Sequence, residues 1–248
     1  MYRYKLTQTQ TRTRNARRLQ ELMLNYHDFR QERVDHPLEP SIEALGRWQA
    51  ERLRATHRDL YESPRYHEAL DFLLEDLYTP QDFNRRDDDF DRIFPYLVRL
   101  SPDSALFTLS QLVELNLISQ RLDLVMTEWL THEAALDAPA IECMADATYA
   151  EAYRSCGRIE DRRRQIELVD AVGHDLERYV NNRSLRMGLK MMHQPARMAG
   201  LGELYRFITE GVHAFRAMGG VTELLKTIRK RETHIMEKLL DEGHLPRH

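Results

Sequence analysis

The sequence predicts an all-α fold, organised as a single bundle-like domain of about eight to ten helices. Three observations predict this class. Apolar side chains recur every three or four positions along most of the 248 residues, which is the spacing of one helix face. Val, Ile and Thr rarely cluster and do not alternate with polar residues, which disfavours strands. Most of the nine prolines lie where a helix would begin or end.

The first three helices are delimited by serine and proline. The first is predicted over 14–35, before Pro37. The second is predicted over 41–60, with Ser41 as its N-cap. The third follows Pro64, a proline suited to a first helical turn, and is closed by Pro80.

A central helix is predicted from Pro102 to about residue 131, because its apolar band is too wide for a helix with only one covered side. Another helix is predicted from Asp137 to Gly157. The next, over 158–180, has an apolar stripe opposite charged residues that include Arg162 and Asp175, so we expect that face to meet solvent. Two further helices follow Pro195.

We divide the chain into a basic N-terminal arm at 1–18, a helical domain at 19–241 and a C-terminal tail at 242–248. The net charge is −4 and the isoelectric point is near 6.3, which disfavours nucleic-acid binding by the protein as a whole. Six basic residues and no acid lie in the arm: Arg3, Lys5, Arg12, Arg14, Arg17 and Arg18. Phosphate contact through this arm is therefore one alternative function, although a solvated arm explains the same charges.

The composition favours a cytoplasmic protein. No apolar run approaches the roughly 20 residues that cross a bilayer, and the N-terminus lacks the apolar segment of a signal peptide. We therefore expect no membrane partner. Only Cys143 and Cys156 are present, which supports neither a disulfide framework nor a cysteine-based zinc site.

Glu232 interrupts the apolar stripe of the last predicted helix, between Ile228 and Ile235. A carboxylate on a buried face needs a partner or a proton. One interpretation is a buried ion pair between helices, for instance with an arginine of another helix. The other is a carboxylate that faces a ligand in a cleft, and we count Arg231 and Glu232 as candidate binding residues on that basis.

A metal site is an alternative reading of the same region. Glu210 and His213 have the Glu-x-x-His spacing that places two ligands on adjacent turns of a helix in di-iron bundles. With Glu232 they form a candidate set for iron or manganese. A complete site of this kind would require a second such pair, which the sequence does not supply, so our leading expectation is no metal and no cofactor.

Charges of both signs crowd the segment between Pro80 and Arg92. Asp82 is a natural N-cap and the following acids suit a first helical turn, so capping and ion pairing explain most of the pattern. An anion or a partner surface could also bind there. The candidate residues are Asp82, Arg85, Arg86 and Asp87.

The same segment carries a family resemblance. Residues 72–87 read FLLEDLYTPQDFNRRD, which resembles the FFLEELYGPxDFxxRD core of a family of uncharacterised bacterial all-helical proteins. Leu73, Asp76 and Thr79 depart mildly from that pattern. The resemblance extends over about residues 45 to 240, and it implies a bacterial helical protein without implying an activity.

We therefore expect a non-catalytic regulatory or scaffolding protein that acts through a partner surface or through a small ligand bound between helices. The sequence assembles no acid–base pair, nucleophile set or complete metal-ligand set from spacing, which favours binding over catalysis. A helical-bundle metalloenzyme of the di-iron or oxygenase type is the alternative from another class. The sequence identifies neither partner nor ligand, and it leaves a homodimer open.

Overall fold

The structure is a computed structural model, and it describes residues 2–33, 36–78, 92–99 and 101–246. The described residues are predominantly helical and contain no strand. The predicted all-α class is confirmed. Within the same ranges, no helix is long and apolar enough to cross a membrane.

Fourteen helical segments occur in these ranges. They are α1 (Tyr2–Gln8), α2 (Arg14–Arg33), α3 (Glu39–Thr56), α4 (Arg58–Tyr61), α5 (His67–Tyr78), α6 (92–99), α7 (Asp103–His132), α8 (Ala138–Glu142), α9 (Asp146–Cys156), α10 (Ile159–Asn181), α11 (Arg183–Met191), α12 (His193–Met198), α13 (Gly202–Ala217) and α14 (Thr222–Asp241). The number exceeds eight to ten because segments as short as α4, α8 and α12 are counted separately.

Several predicted boundaries differ from those observed. The helix predicted over 41–60 is interrupted at His57, and α5 begins at His67 rather than directly after Pro64. Ser41 is a buried residue inside α3 and does not cap it, because α3 begins at Glu39 with Pro40 in its first turn. The helix predicted from Asp137 to Gly157 is two helices, α8 and α9. The Asp137 carboxylate accepts a hydrogen bond of 3.0 Å from the Ala140 backbone nitrogen, which caps only the short α8.

The interior consists of three apolar clusters. The first joins α1, α2, α6 and α7 through Leu6, Leu19, Phe94 and Leu106. The second joins α3, α7, α8, α9 and α14 and contains two tyrosines. The third joins α5, α10, α13 and α14. Buried members of the second are Ala44, Leu45, Met126, Leu130, Ile141, Met144, Tyr149, Ala150, Ala152, Tyr153, Ile235, Met236 and Leu239. Those of the third are Tyr66, Ala69, Leu70, Val180, Ala214, Phe215, Met218, Val221, Leu224 and Leu225.

The long helix α7 packs against α2, α10, α3 and α9. Its wide apolar band therefore meets neighbours on several sides, as a central helix requires. Near its start it buries Leu106 and near its end Leu130, so it contributes to both the first and the second cluster.

The expected solvent face of α10 was wrong at two positions, since Arg162 and Asp175 are buried. The physical reason is that α10 packs against both α7 and α14, which cover two sides of it. Asp175 is satisfied by a hydrogen bond of 2.8 Å from the Thr108 hydroxyl and by an ion pair with Arg178. Arg162 lies in the polar cluster described below.

The N-terminal segment packs onto the bundle. Leu6 of α1 is completely buried, and the arm boundary that we place at residue 18 falls inside α2. The guanidinium of Arg18 pairs with Glu114 of α7, which also pairs with Arg164 at 2.9 Å. At least this arginine of the basic arm therefore has an acidic partner within the fold.

Candidate functional site

Glu232 of α14 forms a buried contact with the C-terminal end of α3. Its two carboxylate oxygens lie 3.0 and 2.9 Å from a terminal guanidinium nitrogen of Arg52, and one of them lies 2.8 Å from Nε2 of His57. The side chains of Arg52 and Glu232 are only 15% and 16% exposed. Burial raises the pKa of Glu232, but the charge of Arg52 and the hydrogen bond with His57 outweigh that effect and leave the pKa lowered. Glu232 therefore stays ionised between two helices.

Arg231 precedes Glu232 in α14 and contacts Thr56 at the end of α3 and Asp59 of α4. Its guanidinium donates to both carboxylate oxygens of Asp59, at 2.6 and 2.8 Å, and to the Thr56 carbonyl at 3.2 Å. The hydrogen bond from Arg231 lowers the pKa of Asp59 to about 2. This pair is more exposed than the Glu232 contact, at 30% for the side chain of Arg231 and 62% for that of Asp59.

Arg231→Met is expected to lower the free energy of unfolding by less than about 1 kcal/mol, because solvent screens an exposed ion pair. Urea denaturation of the variant and the wild type measures the difference. A loss comparable to that caused by substituting Glu232 would contradict the distinction between the two pairs.

A layer of polar side chains extends from this junction into the second apolar cluster. We call it the interior polar cluster, and its members are Gln49 and Arg52 of α3, Asp123 of α7, Tyr149 and Tyr153 of α9, Arg162 of α10 and Glu232 of α14. Tyr149 is central, since its ring stacks on that of Trp48 with centroids 4.2 Å apart. Burial raises the pKa of Tyr149, while the two guanidiniums oppose the two carboxyl groups around it. Five helices thus contribute to one polar layer.

Arg162 is the most buried charged residue of this cluster, at 5% exposure. Its Nε donates a hydrogen bond of 3.0 Å to the Gly157 carbonyl, and its Cζ lies 3.4 Å from the centre of the Tyr153 ring. The turn before α10 makes this approach feasible, because Gly157 and Arg158 both have positive φ, at 61° and 60°. Burial raises the pKa of Tyr153 to about 12, against the opposing charge of Arg162.

Asp123 faces this cation without forming an ion pair. In the described ranges no ion pair within 4.0 Å joins Asp123 or Arg162 to an oppositely charged group. Burial raises the pKa of Asp123 to about 6, although a hydrogen bond from Gln49 and the charges of Arg33 and Arg162 oppose the shift. A carboxyl group and a guanidinium are therefore close enough to interact but are not directly paired.

Two other polar atoms near this layer have no hydrogen-bond partner among the described residues. The hydroxyl of Thr127, which lies one helical turn after Asp123 on α7 and is fully buried, makes no hydrogen bond in the described structure. The same holds for Nδ1 of His57, whose Nε2 contacts Glu232. Because buried polar groups are normally paired, this layer has hydrogen-bonding capacity that the protein itself does not use.

A separate surface groove lies between α5 and α13, with a volume of about 400 Å³. Glu68, Asp71, Phe72, Thr209, Glu210, His213 and Ala214 line it. Oε1 of Glu68 lies 2.6 Å from Nδ1 of His213, and Glu210 lies 3.6 Å from Arg206. The helices approach closely at Gly211, where a Cβ atom would lie 2.9 Å from Cζ of Phe72.

The groove contains Glu210 and His213 of the alternative metal set, but Glu232 is engaged at the junction with α3. The structure therefore does not bring these three residues together. In the described ranges, no group of three or more His, Cys, Asp or Glu side chains is arranged to hold a metal ion.

The remaining sequence candidates, Asp82, Arg85, Arg86 and Asp87, lie outside the described residues. Of the predicted site residues, Arg231 and Glu232 are thus placed at one junction, and Glu210 and His213 at one groove. Sequence reasoning missed Asp123 and Arg162. A weak signal exists for Asp123, which is a charge within the wide apolar band of α7 between Leu122 and Leu124.

Comparisons with known proteins identify a family without assigning an activity. The family described as "Domain of unknown function (DUF8198)" matches residues 28–246. No curated protein and no solved structure matches the chain.

Proposed function

The chain belongs to DUF8198, a family of domains of unknown function, and from its own residues we propose a non-catalytic binding protein that holds a small polar ligand between its helices. The ligand carries an anionic group and occupies the interior polar cluster. We place this activity in the bacterial cytoplasm, in line with the family resemblance and the two free cysteines.

The observation that carries the proposal is the mismatch between Arg162 and Asp123. Arg162 is a buried guanidinium that donates to the Gly157 carbonyl and stacks on the Tyr153 ring, but in the described ranges no carboxylate lies within 4.0 Å to neutralise its charge. An anionic group of a ligand would supply that opposite charge. The carboxylate of Asp123 would accept a hydrogen bond from a hydroxyl or amino group of the same molecule.

The chemistry of the cluster favours binding over reaction. Arginine does not lose its proton in proteins, so Arg52 and Arg162 supply charge and hydrogen bonds only. The pKa values of Tyr149 and Tyr153 are raised, which keeps both phenols protonated at neutral pH. These groups orient and neutralise an anion, whereas Asp123 alone has a pKa suited to proton exchange.

A regulatory role follows from the position of the cluster. Its members come from α3, α7, α9, α10 and α14, so a ligand bound among them would lie where five helices adjoin. Any ligand that binds only the folded state stabilises that state by mass action. Occupancy would therefore change the stability of much of the bundle, and a partner protein could recognise the difference.

The test is a thermal-unfolding screen of the full chain with acetate, succinate, citrate and inorganic phosphate, together with mass spectrometry of small molecules released when the purified protein is denatured. A saturating ligand is expected to raise the Tm by about 5 °C or more. Arg162→Met should abolish that increase. Arg163→Met is the matched control, because Arg163 is exposed and its ion pair within the described part of the chain is with Glu160, at 2.9 Å.

Two results would count against the proposal. One is that no probe raises the Tm and no molecule is released on denaturation. The other is an increase in Tm that Arg162→Met retains in full, which would place the binding site elsewhere in the protein.

A further inference from the structure

Four methionines are exposed on one short stretch of helix. We call this stretch the methionine ridge; it consists of Met187, Met191, Met192 and Met198 on and between α11 and α12. Met191 is 70% exposed and Met198 88%. Met187 and Met191 are separated by one helical turn and therefore share a face of α11.

The ridge lies in a basic stretch of the chain. Between Glu177 and Glu203 the sequence contains no acidic residue, although the whole chain has a net charge of −4. The basic residues of this interval are Arg178, Arg183, Arg186, Lys190 and Arg197. The side chains of Lys190 and Arg197 are exposed among the methionines.

Exposed clusters of large apolar side chains commonly mark interaction sites. Methionine is well suited to such a surface, because its flexible thioether adapts to the shape of a partner. A partner of this ridge needs a concave apolar surface for the methionines and carboxylates for the flanking cations.

The groove between α5 and α13 has both properties. Glu68, Asp71 and Glu210 provide carboxylates along it, and the ring of Phe72 provides an apolar wall. Among the described residues, each carboxylate has a basic neighbour. Glu68 contacts His213, Asp71 lies 3.1 Å from His67, and Glu210 lies 3.6 Å from Arg206. In the described ranges three carboxylates line the groove and one arginine, Arg206, flanks them, so we call it the acidic groove.

We propose that the methionine ridge of one molecule docks in the acidic groove of a second copy of this chain. The two surfaces are complementary in charge and in polarity. They also border the same helix, because α13 packs against α5 on one side and α12 on another. The hydroxyl of Tyr205 on α13 donates a hydrogen bond of 3.2 Å to the Leu189 carbonyl of α11, which holds the ridge against α13. In a two-fold dimer each molecule would offer its ridge and receive its partner's.

This dimer is independent of the proposed ligand site, since neither the ridge nor the groove contains a member of the interior polar cluster. Loss of the dimer would therefore leave ligand-induced stabilisation intact. Conversely, a failure to find a ligand would not affect the dimer.

Charge reversal tests the docking directly. Analytical ultracentrifugation of the full chain is expected to show a concentration-dependent dimer. A ridge variant, Lys190→Glu with Arg197→Glu, and a groove variant, Glu68→Lys with Glu210→Lys, should each be monomeric. An equimolar mixture of the two variants should dimerise again, because each reversed surface then meets an oppositely charged one.

The matched control is Lys226→Glu with Lys230→Glu, which reverses two exposed charges on α14 and should leave the dimer unchanged. Circular dichroism verifies that every variant is folded. A wild-type protein that stays monomeric up to its solubility limit would overturn the proposal, including the case in which that monomer binds vesicles of phosphatidylserine and phosphatidylcholine. Variants that dimerise as well as the wild type would also overturn it.

Discussion

Glu232→Ala is expected to lower the free energy of unfolding by about 1–3 kcal/mol at neutral pH, because it leaves Arg52 buried without its carboxylate. The side chains are only 15% and 16% exposed, so solvent compensates for little of the lost interaction. Contact with His57 is lost as well, at a residue whose other ring nitrogen already lacks a partner. Urea-induced unfolding measures the change.

The pH dependence of this effect has a definite sign. The pKa of Glu232 is lowered on folding, so its contribution to stability is present above its ordinary value of 4.5 and is lost as the pH falls through the lowered pKa. The difference between wild type and Glu232→Ala should therefore shrink in acid. Glu237→Ala, on an exposed position of the same helix, is the control and should change stability by less than about 0.5 kcal/mol. Equal effects at the two positions would contradict the buried pair.

Asp123→Asn is expected to stabilise the protein, by about 1–3 kcal/mol at pH 7 to 8. Burial raises the pKa of this carboxyl from 3.8 to about 6, so its ionisation above that pH weakens the folded state. Asparagine has nearly the same shape and carries no charge. A stabilising substitution at a half-buried polar position is the pattern of a residue retained for binding at the expense of stability.

The sign for Asp123 is opposite to that for Glu232. Because the folded state holds the proton more tightly, wild-type stability should fall as the pH rises from about 4 to about 6, and the variant should lack this slope. Below pH 4 the two proteins should converge. Asp241→Asn removes an exposed charge at the end of α14 and serves as the control. If Asp123→Asn is less stable than the wild type at pH 8, the ionised carboxylate makes interactions that stabilise the folded state by more than its desolvation destabilises it.

The fold class was predictable because helical spacing is a local property. Residues three and four positions apart share a face whatever their distant neighbours are, so α2, α7 and α14 could be recognised from their own segments. Local spacing gave the wrong exposure for part of α10. A charged residue such as Arg162 is normally expected at the surface, but here α7 and α14 cover two sides of the helix. The burial of Arg162 depends on tertiary packing, which the sequence of a single helix does not reveal.

The candidate site divides in the same way. Glu232 was singled out because a carboxylate interrupts an otherwise apolar stripe, which is visible within one helix. Its partner Arg52 could only be guessed as an arginine of another helix, since the two residues are 180 positions apart. Asp123 and Arg162 become noticeable only when five helices place them around Tyr149. Residues of the methionine ridge are individually ordinary, and their exposure is a result of the fold.

The sharing of helices among the three apolar clusters determines how this protein should melt. The first and second clusters have α7 in common, and the second and third have α14 in common. If the first cluster unpacks, α7 loosens in the second cluster as well. If the third cluster unpacks, α14 loosens in the second cluster. Heat should therefore disrupt the whole assembly in one cooperative step, and damage far from Tyr149 would weaken the surroundings of that ring as well.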